Sequence, residues 1–445
     1  MSGNNVPSPG SSKASLAHRL HRPVDITFLA AFRVMFGAVI LWHAWRYIDR
    51  GWINQLYVDP KFHFKYYGFE WVKAWPGGVI HIHFFAMAAL SAAVAVGFYY
   101  RIASVLLCLA LWYQLLLDQT RYQNHYYLLA LISFLMIWLP AHRAGSIDAV
   151  RLPHLRSASV PAWTLWLLRA QIGIPYLFGG ITKLNGDWLR GEPVRTMLAG
   201  YTRLPLIGPY VTDEWMVLLV AYGGLLIDLF VVPLLLWRRT RAYAFAAAVL
   251  FHLLNATLFQ VGIFPWFMIA ATTVFFSPSW PRKLWLSAPT AFGPSPDGPL
   301  TRRQWLTLGL LGLYLTAQIL LPLRHFAYPG NVDWSEQGSR FAWRMMIREK
   351  RVGIRILVTE PTTNRTFAVD PRKYLTPRQA GRFGMDPDLI LQFCHYLGRE
   401  LSEPGASPVE VRVVALASLN GRKPQLLIDP TLNLAAQRRT LRHKA

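Results

Sequence analysis

Long runs of apolar residues constrain the fold of this chain more than any other feature. A helix needs about 20 mostly apolar residues to cross the hydrocarbon layer of a bilayer. Nine stretches approach or reach that length: 25–48, 78–99, 102–118, 126–140, 162–182, 215–237, 241–258, 262–277 and 304–323. The sequence therefore predicts a mainly α membrane protein, a bundle of about nine spans. The stretches 102–118, 126–140 and 262–277 are short, so thinned spans and re-entrant segments both stay open for them.

Composition agrees with a membrane protein. Apolar residues make up 53% of the 445 residues and charged residues only 16%, whereas about a quarter of a soluble domain is charged. The 18 Trp, 19 Tyr and 25 Phe suit aromatic belts at the two membrane interfaces. The two cysteines, Cys108 and Cys394, exclude a disulfide scaffold and a multi-cysteine metal site.

The net charge of +23 raises the question of nucleic-acid binding. The basic residues lie between the apolar runs and in the C-terminal part, and the sequence has no signature of a nucleic-acid-binding fold. Contact with anionic lipid headgroups explains the charge more simply. We therefore expect the lipid membrane as a partner and no nucleic acid.

Three regions follow from the pattern of apolar and polar residues. Residues 1–24 form a polar tail, 25–323 a transmembrane helical domain, and 324–445 a small α+β domain. In the last region, 353–359 and 409–414 partly alternate as strands do, and 377–401 has a helical pattern. Basic pairs such as Arg238-Arg239 and Arg302-Arg303 favour a cytoplasmic N-terminus. An odd number of spans then puts the C-terminal domain on the extracytoplasmic side, and we expect the membrane to be a bacterial inner membrane.

Four polar residues lie within the predicted spans, where an unpaired charge is costly. They are Arg33, Arg169, Asp228 and His252. A purely structural interpretation is an ion pair inside the membrane, in which Asp228 binds Arg33 or Arg169.

A second group of polar residues lies at span ends that this topology brings to one face. The group comprises Asn124, His125, Lys183, His252, Asn255 and His325. Each has an ordinary interpretation, because a lysine at a span end commonly anchors at the interface and a histidine in an aromatic segment is commonly structural. No histidine pair has the spacing of a zinc helix, so we expect no metal. Together these residues indicate a site that opens outward.

The order of these residues resembles the vitamin K-dependent gamma-carboxylase family over roughly residues 22–350. The stretches that carry the resemblance are FLAAFRVMFG at 28–37, YRIASVL at 100–106, NHYYL at 124–128, LRAQ at 168–171, TKLNGDW at 182–188, GGLLIDL at 223–229, FHLLN at 251–255, SPSWPRKL at 277–284 and WRMM at 343–346.

The resemblance implies a membrane enzyme that oxygenates reduced vitamin K with O2, giving the epoxide. The strong base made in this way removes a γ-proton from a glutamate in a peptide or protein substrate, and CO2 adds to the carbanion. By family position, Lys183 is the catalytic base, His125 is its neighbour, and Phe264, Met345 and Met346 line the quinone pocket. Trp334 and Trp343 match the segment that contacts the glutamate. The binding residues are completed by Asn124, His252, Asn255 and His325.

Acid strength supports this assignment. A glutamyl γ-C–H is too weak an acid for any side-chain base, whereas a neutral lysine in a dry pocket can deprotonate a phenolic hydroquinone. An arginine stays charged and cannot. We therefore expect an uncharged Lys183, with His125 donating a hydrogen bond to the developing anion, in a pocket that excludes water.

Three other functions stay open. The family's Gly-Leu-Tyr-Gly segment is replaced here by Gln337-Gly338-Ser339-Arg340, so an epoxidase without carboxylase activity is one alternative. A non-enzymatic protein that binds lipid or quinone is the second. Electron transfer or quinone reduction is the third, although the sequence has no paired-histidine haem pattern, cysteine cluster or dinucleotide fingerprint.

Overall fold

The computed structural model describes residues 15–203, 205, 207–259, 261–284, 298–402, 404 and 407–440. Most of the predicted polar tail, residues 1–14, lies outside the described residues, as do residues 441–445. The helices are α1 (Leu16–His21), α2 (Thr27–Asp49), α3 (Val79–Val96), α4 (Tyr100–Leu117), α5 (Asn124–Trp138), α6 (Ile147–Arg151), α7 (Ala162–Lys183), α8 (Gly186–Leu189), α9 (Glu192–Leu198), α10 (Glu214–Leu236), α11 (Arg241–Leu258), α12 (Phe264–Thr272), α13 (Arg302–Leu323), α14 (Val332–Ser335), α15 (Pro377–Phe383) and α16 (Pro387–Glu400).

A mainly α membrane fold is confirmed, and each of the nine predicted stretches coincides with a helix. Within the described ranges, six helices are long and apolar enough to cross a membrane, namely α2, α3, α4, α10, α11 and α13 with the turn that follows it. The predicted count of about nine is therefore higher than the length and composition of the helices support. Helices α5 and α12 are apolar but short, and α7 carries Arg169 and Lys183 within its 22 residues.

The C-terminal region contains an antiparallel sheet of four strands in the order β4-β3-β5-β6. The strands are β3 (Lys350–Glu360), β4 (Arg365–Val369), β5 (Glu410–Leu419) and β6 (Gln425–Leu426). A separate two-stranded ribbon joins β1 (Pro23–Asp25) to β2 (Ser159–Pro161). Side chains of β5 alternate between buried and accessible positions along its whole length, as expected for a strand with one face on a core. Helix α16 covers that face.

The two main hydrophobic cores each take in a residue from the other part of the chain. The bundle core, built mainly from α2 to α5, α7 and α12, includes Trp343. The core between the sheet and α16 includes Phe64, which comes from the loop between α2 and α3. The bundle and the C-terminal region therefore exchange side chains between their cores where they meet.

The segment 336–346 reaches into the bundle with an unusual backbone. Glu336, Phe341, Trp343 and Met346 have φ of 62°, 59°, 55° and 57°, in the left-handed region. Residues other than glycine rarely adopt this region, and such strain concentrates at functional sites. The segment lines the cavity described next.

Candidate active site

A cavity of about 520 Å³ lies where the helix ends of the bundle meet the segment 336–348. Its volume is within the range of sites for drug-sized ligands. Most of its wall is apolar, with aromatic rings from Tyr176, Trp188, Phe251, Phe259 and Phe264 and thioethers from Met197, Met268, Met345, Met346 and Met385. Such a wall suits an aromatic ligand with an apolar tail.

Lys183 and Asp228 form a buried ion pair in the wall of this cavity. The Nζ atom of Lys183 is 2.5 Å from Oδ2 of Asp228 and 3.2 Å from the carbonyl oxygen of Gly179. Both residues are only 5% exposed, and Nζ lies 5.1 Å from the ring of Trp188. The lysine that the sequence analysis expects to be uncharged therefore has a carboxylate partner.

Close contact between α7 and α10 makes this pair possible. A Cβ added at Gly180 would lie 2.6 Å from Cδ2 of Leu229, and one added at Gly179 would lie 3.1 Å from Oδ2 of Asp228. The glycines thus let the α10 backbone approach α7 at the turn that precedes Lys183.

Asp228 does form the expected buried ion pair, but its partner is Lys183 and neither of the two suggested arginines, Arg33 and Arg169. Arg33 donates to the carbonyl of Gly145, and Arg169 donates to backbone carbonyls at 274–276. Lys183 lies 14 residues after Arg169 on the same helix, which is about 21 Å along its axis. An aspartate beside Lys183 cannot reach Arg169 as well.

The rings of His125 and His252 both pack against the ring of Phe264. The centroid of Phe264 is 5.6 Å from that of His125 and 5.9 Å from that of His252. Nε2 of His252 is 2.6 Å from the hydroxyl of Tyr176, while its Nδ1 has no hydrogen-bond partner among the described residues. The His125 ring contacts that of Tyr126 at 4.4 Å. Both imidazoles are buried and line the cavity.

Four other predicted residues line the same cavity, namely Asn124, Asn255, Met345 and Met346. Asn124 joins the bundle to the strained segment, because its Nδ2 donates to the carbonyl of Arg344 at 3.2 Å and its Oδ1 accepts from the hydroxyl of Tyr122 at 2.9 Å. Eight of the eleven predicted site residues are thus brought to one cavity.

The structure places the other three predicted residues outside that wall. Nδ1 of His325 pairs with the carbonyl of Pro322 at 2.8 Å, one turn back along the chain. Trp343 is 1% exposed and packs against Tyr127 in the bundle core. Trp334 lines an outer cleft next to Asp187 and Arg422. For Trp343 the cause is the backbone of the segment 336–346, whose turns direct Met345 to the cavity and Trp343 away from it.

Sequence reasoning missed a cluster of charges at the cavity rim. Arg344 makes two 2.8 Å hydrogen bonds to the carboxylate of Asp333, and Arg348 makes one of 2.9 Å. Arg348 also binds Glu336. Arg344 and Arg348 line the cavity, whereas Asp333 lines the outer cleft. Arg344 and Arg348 are four residues apart, a spacing that brings side chains together on a helix. Because this segment is not a helix, the sequence did not predict that the two arginines meet.

Burial and the arginine charges act in opposite directions on the two acids of this cluster. Burial raises the pKa of Asp333, but the charges of Arg344 and Arg348 outweigh it, so the pKa of Asp333 lies below its ordinary value. Burial also raises the pKa of Glu336, and there the opposing charges of Arg348 and Lys350 do not fully compensate. Asp333 is therefore held as a carboxylate against the two arginines.

Among the described residues, no three His, Cys, Asp or Glu side chains are grouped so that they could hold a metal ion. The polar groups of the cavity are instead one amine, two imidazoles, amides, hydroxyls, guanidinium groups and the three carboxylates of Asp228, Glu336 and Asp386. The set can exchange protons and bind anions.

Comparison with known proteins gives two matches to family models. The model described as HTTM domain matches residues 21–280, which is more than half of the chain. The model described as Vitamin K-dependent gamma-carboxylase, lumenal domain matches residues 303–445. No solved structure matches this chain. Since the two models together span the bundle and the C-terminal region, the chain belongs to the vitamin K-dependent gamma-carboxylase family.

Proposed function

We propose that this protein is an integral membrane vitamin K-dependent gamma-carboxylase, which converts reduced vitamin K to its epoxide and adds CO2 to the γ-carbon of a peptide glutamate. The observation that carries the proposal is the buried Lys183–Asp228 pair in the wall of an apolar cavity that His125 also lines. A protein that only binds lipid has no need of such a pair there.

The cavity suits reduced vitamin K. Its aromatic and thioether wall matches a flat bicyclic ring, and the unpartnered Nδ1 of His252 is a buried polar atom that a ligand oxygen can satisfy. Lys183, His125 and His252 would surround the ring, and Phe264, Met345 and Met346 would hold it by contact. When bound, the hydroquinone supplies, through its oxidation by O2, the base that the γ-C–H requires.

Lys183 and Asp228 act together in this proposal. The two groups share one proton, and the pair is neutral both as ammonium and carboxylate and as amine and carboxylic acid. A dry cavity favours the uncharged form over two separated charges. In that form Asp228 carries the proton and accepts an N–H of Nζ on its Oδ2, so the single lone pair of Nζ is free to accept a proton from the bound hydroxyl. The resulting ammonium then lies next to the oxygen it has deprotonated.

Burial of the site keeps water away from the reaction, and His125 has a second role as a hydrogen-bond donor. The imidazole lies against Tyr126 and Phe264, so its ring is fixed by packing and its N–H is available to an anion in the cavity. Burial of Lys183 and His125 keeps bulk water from the strong base. We assign to His125 the hydrogen bond that stabilises the developing negative charge.

The charge cluster at the rim supports carboxylation in addition to epoxidation. Arg344 and Arg348 present guanidinium groups to the cavity, and Asp333 binds both of them from the outer side. We propose that the carboxylate of the substrate glutamate exchanges with that of Asp333 on these two arginines. The outer cleft beyond Asp333, which Trp334 lines, is the route by which the peptide would approach.

The test incubates the full-length, detergent-solubilised protein with reduced vitamin K, O2, labelled bicarbonate and a glutamate peptide. Epoxide and fixed label are measured separately. We expect both products from the natural sequence and neither from Lys183→Ala, with the exposed Lys73→Ala as the matched control. Full epoxide formation by Lys183→Ala would remove Lys183 from the role of base.

The same assay separates the alternatives. Epoxide without fixed label would identify an epoxidase that lacks carboxylase activity, and neither product would favour a non-enzymatic quinone- or lipid-binding protein. His125→Ala is expected to lose both activities, whereas the exposed His154→Ala keeps them. Unchanged yields in His125→Ala would contradict the role given to this imidazole.

A further inference from the structure

A second, much smaller void lies inside the bundle between α2, α4 and α5, with a volume of about 10 Å³. A void of roughly this size holds one small occupant, such as a water molecule or a monatomic ion. Its polar wall consists of His43, Tyr47, Tyr57, Gln114, Arg121 and Tyr126. Apart from Tyr126, whose ring packs against that of His125, none of these residues has a role in the function proposed above.

Arg121 is the unusual member of this wall, because it is a buried cation that has no acidic partner in the part of the chain that the structure describes. The residue is 7% exposed, and one Nη donates to the hydroxyl of Tyr47 at 2.8 Å. Its Nε and its other Nη have no partner among the described residues. The nearby Asp118 is occupied by Thr120 and Gln379. A buried charge without a counter-charge is strongly unfavourable.

Gln114 adds a further unsatisfied donor to the same void. Its Oε1 lies 3.2 Å from Nε2 of His43, while its Nε2 has no partner in the described part of the chain. Arg121 and Gln114 therefore offer three nitrogen atoms that carry N–H groups without acceptors. A buried donor left unpaired costs the full desolvation of that group, so an occupant that accepts from these donors and carries a negative charge would be stabilised in the void.

We propose that this void binds one small monatomic anion of the halide class, held by the guanidinium of Arg121 and the amide of Gln114. A water molecule would accept from some of these donors but would leave the cation uncompensated. Phosphate and carboxylate ions are too large for a void of about 10 Å³. Tyr126 separates the anion from the substrate cavity, because its ring contacts those of both His43 and His125.

Thermal unfolding of the solubilised full-length protein tests the proposal. Chloride is titrated against gluconate, which is too large for the void, at constant ionic strength. An ion that binds only the folded state raises Tm with its concentration. We expect such a rise for the natural sequence and for Arg50→Gln, which removes an exposed arginine, and no chloride dependence for Arg121→Gln. Equal chloride dependence in Arg121→Gln would overturn the proposal.

Two further measurements keep the test decisive if Arg121→Gln does not fold. Gln114→Leu keeps the cation and removes one donor, so the chloride concentration for the half-maximal effect is expected to rise roughly tenfold. Crystals grown in bromide should give an anomalous peak in the void. Electron density without anomalous signal would identify a water molecule and would exclude the anion.

Discussion

Lys183 and Asp228 are 45 positions apart in the chain, and their side chains meet with 2.5 Å between Nζ and Oδ2 inside the bundle. The contact joins the C-terminal end of α7 to the middle of α10. Two groups that would each be costly to bury alone become one unit that can be neutral overall. The site therefore depends on how closely these two helices approach.

Asp228→Asn tests the shared proton. An amide cannot hold that proton, so we expect epoxide formation to fall by about 10² to 10⁴, the usual contribution of a positioned acid or base. Initial rates of epoxide formation check this. The variant also leaves Lys183 without its carboxylate, which costs about 3–5 kcal/mol when a buried pair loses one partner, so unfolding must be followed in parallel. Glu214→Gln, which breaks the exposed pair with Arg195, should leave the rate unchanged, and an active Asp228→Asn would argue against the mechanism.

Gly180→Ala tests the helix contact behind the pair. The added Cβ would lie 2.6 Å from Cδ2 of Leu229 and 3.1 Å from its backbone nitrogen, so α10 must move away from α7. We expect lower thermal stability and a loss of epoxide formation. Gly223→Ala is the matched control, because a Cβ there meets nothing within 4 Å and should raise stability by up to about 1 kcal/mol through helix propensity. Equal behaviour of the two variants would mean that close approach at Gly180 does not matter.

Asp333 and Arg348 test recognition of the substrate carboxylate. We would measure equilibrium binding of a fluorescent glutamate peptide and of its glutamine counterpart. This measurement does not depend on turnover of the substrate. Arg348→Gln should weaken binding of the glutamate peptide by about tenfold or more, as expected for loss of a hydrogen bond to a charged group. Asp333→Asn should strengthen binding of the glutamate peptide, because the carboxylate that competes for the two arginines is gone. Arg412→Gln, on the exposed face of β5, is the control, and weaker binding by Asp333→Asn would indicate a purely structural role.

Lys65 gives a pH dependence of stability that is independent of the active site. Burial lowers the pKa of Lys65 to about 8, against the opposing charge of Asp118. The ordinary value near 10.5 applies to the unfolded chain. Between these two values the unfolded state binds more protons than the folded state, so the free energy of unfolding increases as pH rises from about 8 to about 10.5.

Lys65→Met removes this contribution. The free energy of unfolding of the natural sequence should therefore increase relative to that of Lys65→Met as pH rises across this window. Denaturant unfolding at several pH values measures this difference. Lys73→Met, in the same loop but exposed, should change little relative to the natural sequence. A constant difference between natural and Lys65→Met proteins from pH 8 to 10.5 would contradict the prediction.

The sequence by itself determined the elements of this fold. Each predicted apolar stretch became a helix, with α11 at the predicted limits. The alternating stretches 353–359 and 409–414 became parts of β3 and β5. These features are local, because hydrophobic runs and side-chain alternation act on neighbouring residues. The ordered motifs also sufficed to identify the family and to select Lys183, His125 and Phe264 as cavity residues.

Only the tertiary structure decided which polar groups meet. The partner of Asp228 is Lys183, because Gly179 and Gly180 allow α10 to approach α7 at that level. Trp343 and Met345 are two positions apart, yet only Met345 faces the cavity, because the backbone turns through the left-handed region at Trp343. Pairing across helices depends on which faces touch and at what height. Hydrophobic pattern specifies neither, since lipid-facing and partner-facing surfaces of a membrane helix are both apolar.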